Sequence, residues 1–187
     1  MLKYAIICLV DILTKGIKNS QETPQNWAFH GILRRLKSMI KVLFVCHGNI
    51  CRSTMAEFVM KHLVKQAGRE DEFEIASAAT SREEIGHDTH YGTKEKLREK
   101  GVPFAKRQAV QMTMQDYQYY DLIVAMDREN LWGIRRIIGD DTLGKVRLLL
   151  SYAGEPEGEV ADPWYTGNFE ATYVDVLRGC QGILKNG

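Results

Sequence analysis

"VLFVCHGNICRS" runs from Val42 to Ser53. Unbroken apolar residues lead straight into a thiol, a glycine, an amide, a second thiol and a guanidinium. The nearly continuous apolar run Ile40–Cys46 is what a strand covered on both faces requires. The stripe Met55, Ala56, Val59, Met60, Leu63 and Val64 then has helical spacing, with Gly68 as its stop. The stretch therefore reads as strand, tight turn and helix start.

The same alternation continues along the chain. "EFEIASA" (72–78) predicts a second strand and "THYGTKEKLREKG" (89–101) a polar, exposed helix ending at Gly101. "DLIVAMD" (121–127) predicts a third strand, "ENLWGIRRIIG" (129–139) a helix, and "KVRLLLSY" (145–152) a fourth strand. Phe169, Tyr173, Val176, Leu177, Cys180, Ile183 and Leu184 form the apolar face of a closing helix. Strands alternating with helices imply βαβ units. The expected fold is α/β and Rossmann-like: a single domain with a four-stranded parallel sheet and helices on both faces. Ligands in such folds sit beyond the carboxyl ends of the strands, where Cys46 and Asp127 fall.

Composition narrows the function classes. The chain has 187 residues, 44% hydrophobic and 26% charged, with net charge +1. These values exclude a collagen-like or disordered chain and give no reason to expect nucleic acid as a partner. No stretch reaches the roughly 20 apolar residues of a membrane span, so no membrane association is expected. Cys8, Cys46, Cys51 and Cys180 are irregularly spaced in a chain of moderate size. A disulfide scaffold does not fit, and a reducing, cytoplasmic setting does.

Charge changes sign along the chain. Residues 1–38 carry net +4 and the remainder net −3, with the break at Met39, just before the first strand. We read Met39 as the functional start, 1–38 as an N-terminal extension outside the functional protein, and 39–187 as the domain. A basic membrane-surface tether is the rival reading of 1–38. The apolar run Tyr4–Val10 lacks a following small-residue cleavage site, which weakens a signal-peptide reading.

The turn after Cys46 has the residue types of an anion cradle. Consecutive backbone N–H groups and an open helix N-terminus attract negative charge. Gly48 adopts conformations closed to other residues, and Asn49 tolerates the left-handed region. Arg52 brings a forked donor matched to two phosphate oxygens. Helix N-termini and cationic neighbours bring a thiol into the range of roughly 3.5–7.5, so a thiol here is expected to be a nucleophile, with Ser53 donating to it. Other readings are weaker. A strand-ending cysteine is ordinarily a small buried hydrophobe. Zinc needs a second ligand pair beyond Cys46, His47 and Cys51, and no suitable one follows. An ATP-type loop needs Gly-Lys-Ser/Thr, which is absent.

Cys46-His47-Gly48-Asn49-Ile50-Cys51-Arg52-Ser53 resembles the signature of the low-molecular-weight protein tyrosine phosphatases: a Cys, five residues, an Arg, then Ser. "TMAE" (54–57) is similar to the family's "PxAE", with Thr54 replacing Pro at the helix start. The resemblance runs from about Ile40 to Leu184 and makes 39–187 a low-molecular-weight phosphatase domain. It also implies an acid in a late Asp-Pro loop, which "EVADPWYTGNFEATY" (159–173) supplies as Asp162 and Pro163. Pro163 holds Asp162 in extended backbone.

The resemblance implies hydrolysis of phosphotyrosine through a phosphocysteine. Cys46 is then the nucleophile, Arg52 the phosphate clamp and Asp162 the general acid and base. His47, Gly48, Asn49, Ile50, Cys51 and Ser53 line the anion, and no metal or cofactor is implied. Ser77 and Asn49 match positions that brace the loop, and Arg107 stands where a histidine is common. Trp164 and Tyr165 resemble an aromatic wall, and Glu83 occupies the opposite wall, where it is expected to disfavour acidic substrate flanks. Cys51 reads as a thiol that traps oxidised Cys46 as a disulfide. The implied partners are phosphotyrosine proteins or peptides, a bacterial tyrosine kinase among them.

Two relatives on a similar loop compete with this reading. Thioredoxin-coupled arsenate reductases relay a disulfide through downstream cysteines, yet none lies between Cys51 and Cys180. Arginine phosphatases tend to carry Thr in the fifth loop position, where this chain has Ile50, an apolar residue suited to a phenyl ring. An inactive phosphate-binding module would not need the intact Cys, Arg and Asp set.

Overall fold

The computed structural model describes residues 39–186, so the expectations placed on 1–38 lie outside the described residues. β1 (Ile40–Cys46) is an inner strand, and its pleat explains its near-continuous apolarity. Val42, Phe44 and Cys46 enter the apolar cluster on one face, while Leu43 and Val45 enter the cluster on the other. Each large side chain so buried contributes roughly 1.5–3 kcal/mol of transfer free energy. That burial immobilises the strand end on which Cys46 sits.

Nine further helices and strands follow: α1 (Arg52–Gln66), β2 (Phe73–Ala79), α2 (Tyr91–Glu99), α3 (Met114–Tyr119), β3 (Leu122–Ala125), α4 (Arg128–Ile138), β4 (Val146–Leu148), α5 (Pro163–Thr166) and a last helix, α6 (Phe169–Asn186). The sheet is parallel throughout in the order β2-β1-β3-β4. Helices cover both faces: α1 and α6 supply Met55, Met60, Val176 and Ile183 to one cluster, and α3 and α4 supply Tyr117 and Ile134 to the other. β1 pairs directly with β3, with Val45 opposite Ala125. The loops after Cys46 and after Ala125 therefore leave the sheet side by side.

Three local expectations need correction. The fourth strand is short: Val146–Leu148 pairs with β3, and Leu149–Ala153 then turns as a 3-10 helix. The turn lies against α6, whose Gly179 and Gly182 leave room for it. A Cβ on Gly182 would stand 2.0 Å from the Tyr152 carbonyl oxygen. Second, α2 is not wholly exposed, because Gly92, Thr93 and Leu97 are buried. Third, the sequence pattern shows no helix between Gly101 and Asp121, yet α3 forms there, started by a capping box of Thr113 and Asp116.

No helix among the described residues is long and apolar enough to cross a membrane.

Candidate active site

Cys46 ends β1 and α1 begins at Arg52, so residues 47–51 must reverse the chain within one short loop. Asn49 makes this possible with φ 57°, the single positive φ outside glycine among the described residues. Gly48 lies close beneath Glu84, whose Cγ would be 3.0 Å from an added Cβ.

The loop turns its carbonyls toward protein. Cys46 O accepts from Thr80 N, His47 O from Ser81 N, Ile50 O from His90 N and Cys51 O from Met55 N. The N–H groups of residues 47–51 donate to no acceptor among the described residues. With the first N–H groups of α1 they form a set of donors without protein partners, as an anion cradle requires. α1 has no acidic residue in its first turn to compete for them.

Beneath the loop runs a directed hydrogen-bond chain. The Asn49 amide donates to Ser53 Oγ (2.9 Å) and Ser77 Oγ (2.8 Å). Ser53 Oγ, already accepting, is left to donate to Cys46 Sγ at 3.0 Å. Ser77 Oγ in turn donates to Glu57 Oε2 at 2.6 Å. Arg107 donates to Asn49 Oδ1 (2.9 Å) and Ser77 O (3.2 Å), and Val110 N completes the amide at 3.2 Å. Every donor and acceptor of the buried Asn49 side chain is used, which fixes its strained backbone. The segment carrying Arg107 and Val110 lies along β2 through an Ala79–Gln111 bridge.

Above the loop, Arg52 is 3% exposed and held by carboxylates on two elements. Its Nη1 donates to Asp127, at the carboxyl end of β3, and to Val160 O at 3.3 Å. Its Nη2 donates to Asp162 Oδ2 at 2.5 Å. Burial opposes the Arg52 charge, but Cys46, Asp127 and Asp162 outweigh it and hold its pKa above the ordinary arginine value. Asp162 also caps α5 by accepting from Trp164 N at 3.0 Å, with Pro163 at the first helical position.

A pocket of about 610 Å³ joins these parts. Cys46, Arg52, Asp162, Glu83, Trp164 and Tyr165 all line it. Trp164 and Tyr165 are largely exposed, which favours a wall over a core role. Glu83 Oε2 lies 3.0 Å from His47 Nε2 at the exposed mouth. Ile50 lines the pocket yet is mostly packed with Cys51, Ala109 and Phe169, so only a small part of it faces a ligand. Burial, with Cys46 and Asp162 adding to it, pushes the Cys51 thiol up to about 12. Cys51 therefore stays protonated and does not compete as a nucleophile. Among the described residues no group of three or more His, Cys, Asp or Glu side chains is arranged to hold a metal ion.

Three features escape sequence reasoning. Asp127 was placed at a strand end, but its pairing with Arg52 needs the β1–β3 neighbourhood. Glu57 looks like an ordinary helix carboxylate until Ser77 and Arg107 close on it. Thr54 is more than a helix-start replacement: its hydroxyl donates to Ile50 O (3.0 Å) and Cys51 O (2.9 Å), tying the loop to α1.

Comparison with known proteins identifies the family. The family described as low molecular weight phosphotyrosine protein phosphatase matches residues 41–186. The low molecular weight protein-tyrosine-phosphatase YfkJ of Bacillus subtilis is 40% identical over 149 residues, covering 79% of this chain and 96% of the relative. Its crystal structure superposes with a TM-score of 0.76 over 80% of this chain and 94% of that one. PtpA of Staphylococcus aureus is 35% identical, covering 78% of this chain and 92% of the relative. The crystal structure of the Drosophila arginine phosphatase DARP is 31% identical with a TM-score of 0.71, covering 79% of this chain and 97% of that one. A thiol, a guanidinium and a carboxylate gathered over one anion loop, on this fold and at this similarity, place the chain in the low molecular weight phosphotyrosine protein phosphatase family.

Proposed function

We propose that this protein hydrolyses phosphotyrosine in proteins or peptides through a phosphocysteine intermediate. The carrying observation is the loop beside the pocket shared by Cys46, Arg52 and Asp162: the carbonyls of Cys46, His47, Asn49, Ile50 and Cys51 accept from protein donors, while the N–H groups of residues 47–51 have no acceptor among the described residues.

The phosphate dianion takes the loop N–H groups and the Arg52 fork. Asp162 Oδ2 holds the same Nη2 that an equatorial phosphate oxygen needs. Phosphate binding therefore releases Asp162 from Arg52 toward the leaving oxygen. Cys46 Sγ attacks phosphorus in line. The Sγ–P bond forms, the P–O bond to the phenol breaks, and protonated Asp162 gives its proton to the departing oxygen. Asp162 then takes a proton from water as that water attacks phosphorus. Inorganic phosphate leaves and the thiolate returns. The Ser53 hydroxyl steadies that thiolate from below.

Trp164 and Tyr165 supply a wall for the phenyl ring, opposite Glu83. Cys180 is fully buried on α6, with its thiol on Ala56 O, which does not suit a disulfide relay. The family match over residues 41–186 supports residues 39–187 as the working domain, and the buried free thiols Cys46, Cys51 and Cys180 fit a reducing setting. The proposed partners are phosphotyrosine proteins or peptides, a bacterial tyrosine kinase among them.

The test compares hydrolysis of phosphotyrosine, phosphoserine and phosphoarginine peptides, with Cys46→Ser as control. Phosphotyrosine is expected to be preferred, and Cys46→Ser to abolish turnover while keeping phosphate binding. Preference for phosphoarginine, or wild-type turnover by Cys46→Ser, overturns the reading.

A further inference from the structure

The charge around the pocket is opposite to what a phosphate dianion alone would select. Six carboxylates line it, from Glu83, Glu84, Asp127, Glu129, Glu159 and Asp162, against the single guanidinium of Arg52. Asp127 and Asp162 are spent on Arg52. The other four come from separate parts of the chain: the β2–α2 loop, the first turn of α4, and the loop leading to Asp162.

Countercharge at this rim is weak. Glu83 and Glu84 face only histidines, His47 at 3.0 Å and His87 at 2.6 Å, and both histidines are well exposed. Arg128 is shared between Glu157 (2.6 Å) and Glu159 (3.7 Å), two acids to one base. Glu129 is exposed and has no ion-pair partner among the described residues. Single exposed charges are worth little, but several of one sign around a cleft sum to a field that sorts approaching ligands. This field repels a phosphorylated segment with acidic neighbours and attracts one with basic neighbours.

Resting on the phosphotyrosine reading above, we infer that the preferred substrates are phosphotyrosine segments flanked by lysine or arginine. The aryl phosphate descends to the loop, and the flanking cations lie along Glu83, Glu129 and Glu159. The preference belongs to encounter and binding, so it appears in kcat/KM and KM more than in kcat. It also fades with salt, because the screening length falls from about 10 Å at 0.1 M to about 3 Å at 1 M.

The test uses matched phosphotyrosine peptides with Lys/Arg, Ser/Ala or Asp/Glu flanks, with free phosphotyrosine as reference, at low and high salt. Wild type is compared with Glu83→Gln and with Glu129→Gln/Glu159→Gln. Glutamine keeps the acceptor that Glu159 offers to Arg128 N. At low salt, kcat/KM is expected to be about tenfold higher for basic than for acidic flanks. The ratio should shrink at high salt and in both variants. An equal or reversed ratio in wild type, or one indifferent to salt and to both variants, overturns the inference. Failure to hydrolyse free phosphotyrosine would instead remove the functional reading beneath it.

Discussion

Arg52 Nη2 donates to Asp162 Oδ2 at 2.5 Å, so the residue proposed to clamp phosphate and the residue proposed to protonate the leaving group hold each other. On the proposed mechanism, phosphate and Asp162 compete for that one donor. Asp162→Asn is expected to lower kcat by roughly 10²–10⁴, the usual contribution of a general acid. It should also tighten inhibition by inorganic phosphate, because a neutral amide is a poorer rival for the guanidinium. Steady-state kinetics with phosphate as inhibitor checks both. Weaker phosphate inhibition would contradict the competition.

Asp127 does two jobs that substitution can separate. One oxygen accepts from Arg52 and the other caps α4 by accepting from Asn130 N at 2.6 Å. Asp127→Asn keeps a good capping side chain and removes the charge that holds Arg52. Asp127→Ala removes both. Both variants should lose kcat/KM, and alanine should cost about 1 kcal/mol more in stability than asparagine. Urea denaturation of the pair measures the difference.

Thr54→Val removes the hydroxyl bonded to Ile50 O and Cys51 O without changing the buried shape much. Each carbonyl keeps another donor, His90 N or Met55 N. No acceptor is orphaned, so the loss should stay at the low end, about 1 kcal/mol. A loss of several kcal/mol in thermal or chemical denaturation would show that the hydroxyl does more than tie the loop.

His90 links the loop to the Asp162 segment. Its N–H donates to Ile50 O, its Nδ1 accepts from Gly92 N, and its ring stacks on Phe169 and meets Trp164 edge-on. Burial depresses its pKa, with Glu84 pulling the other way. A depressed histidine favours the neutral folded form. Its contribution is full above the unfolded value of about 6.5 and is lost as pH falls through the lower folded value. Stability should therefore drop on acidification below about pH 6.5. His90→Asn, which keeps a capping oxygen but does not titrate, should flatten that part of a melting-temperature profile. An unchanged slope would assign it to other groups.

Cys51 is a buried thiol beside Cys46, the proposed nucleophile. Peroxide oxidises Cys46 to a sulfenic acid with release of water, and the Cys51 thiol condenses with it to a disulfide and a second water. Wild-type activity should return with dithiol after peroxide. Cys51→Ser should lose that recovery, and mass spectrometry should find Cys46 as sulfinic or sulfonic acid. Equal recovery in both proteins would leave Cys51 as packing only.

Much of this molecule was legible in local patterns. The Ile40–Cys46 run, the helical stripe after Met55 and the strand at 121–127 each depend on residues a few positions apart, so period and apolarity suffice. The Cys46-to-Ser53 order likewise reads locally as a strand end, a tight turn and a helix start, which the structure has. Tertiary structure decided what local pattern cannot express. β4 stops at Leu148 and the next turn packs on α6, where Gly179 and Gly182, some 30 residues later, leave the room it needs. Asp127 meets Arg52 across 75 residues because β1 and β3 are neighbours in the sheet. Glu57 joins Ser77 and Arg107 only once α1 lies over β2. The chemistry of the loop is written in consecutive residues. The groups that hold it still, and the carboxylate rim that surrounds it, come from distant segments and exist only in the fold.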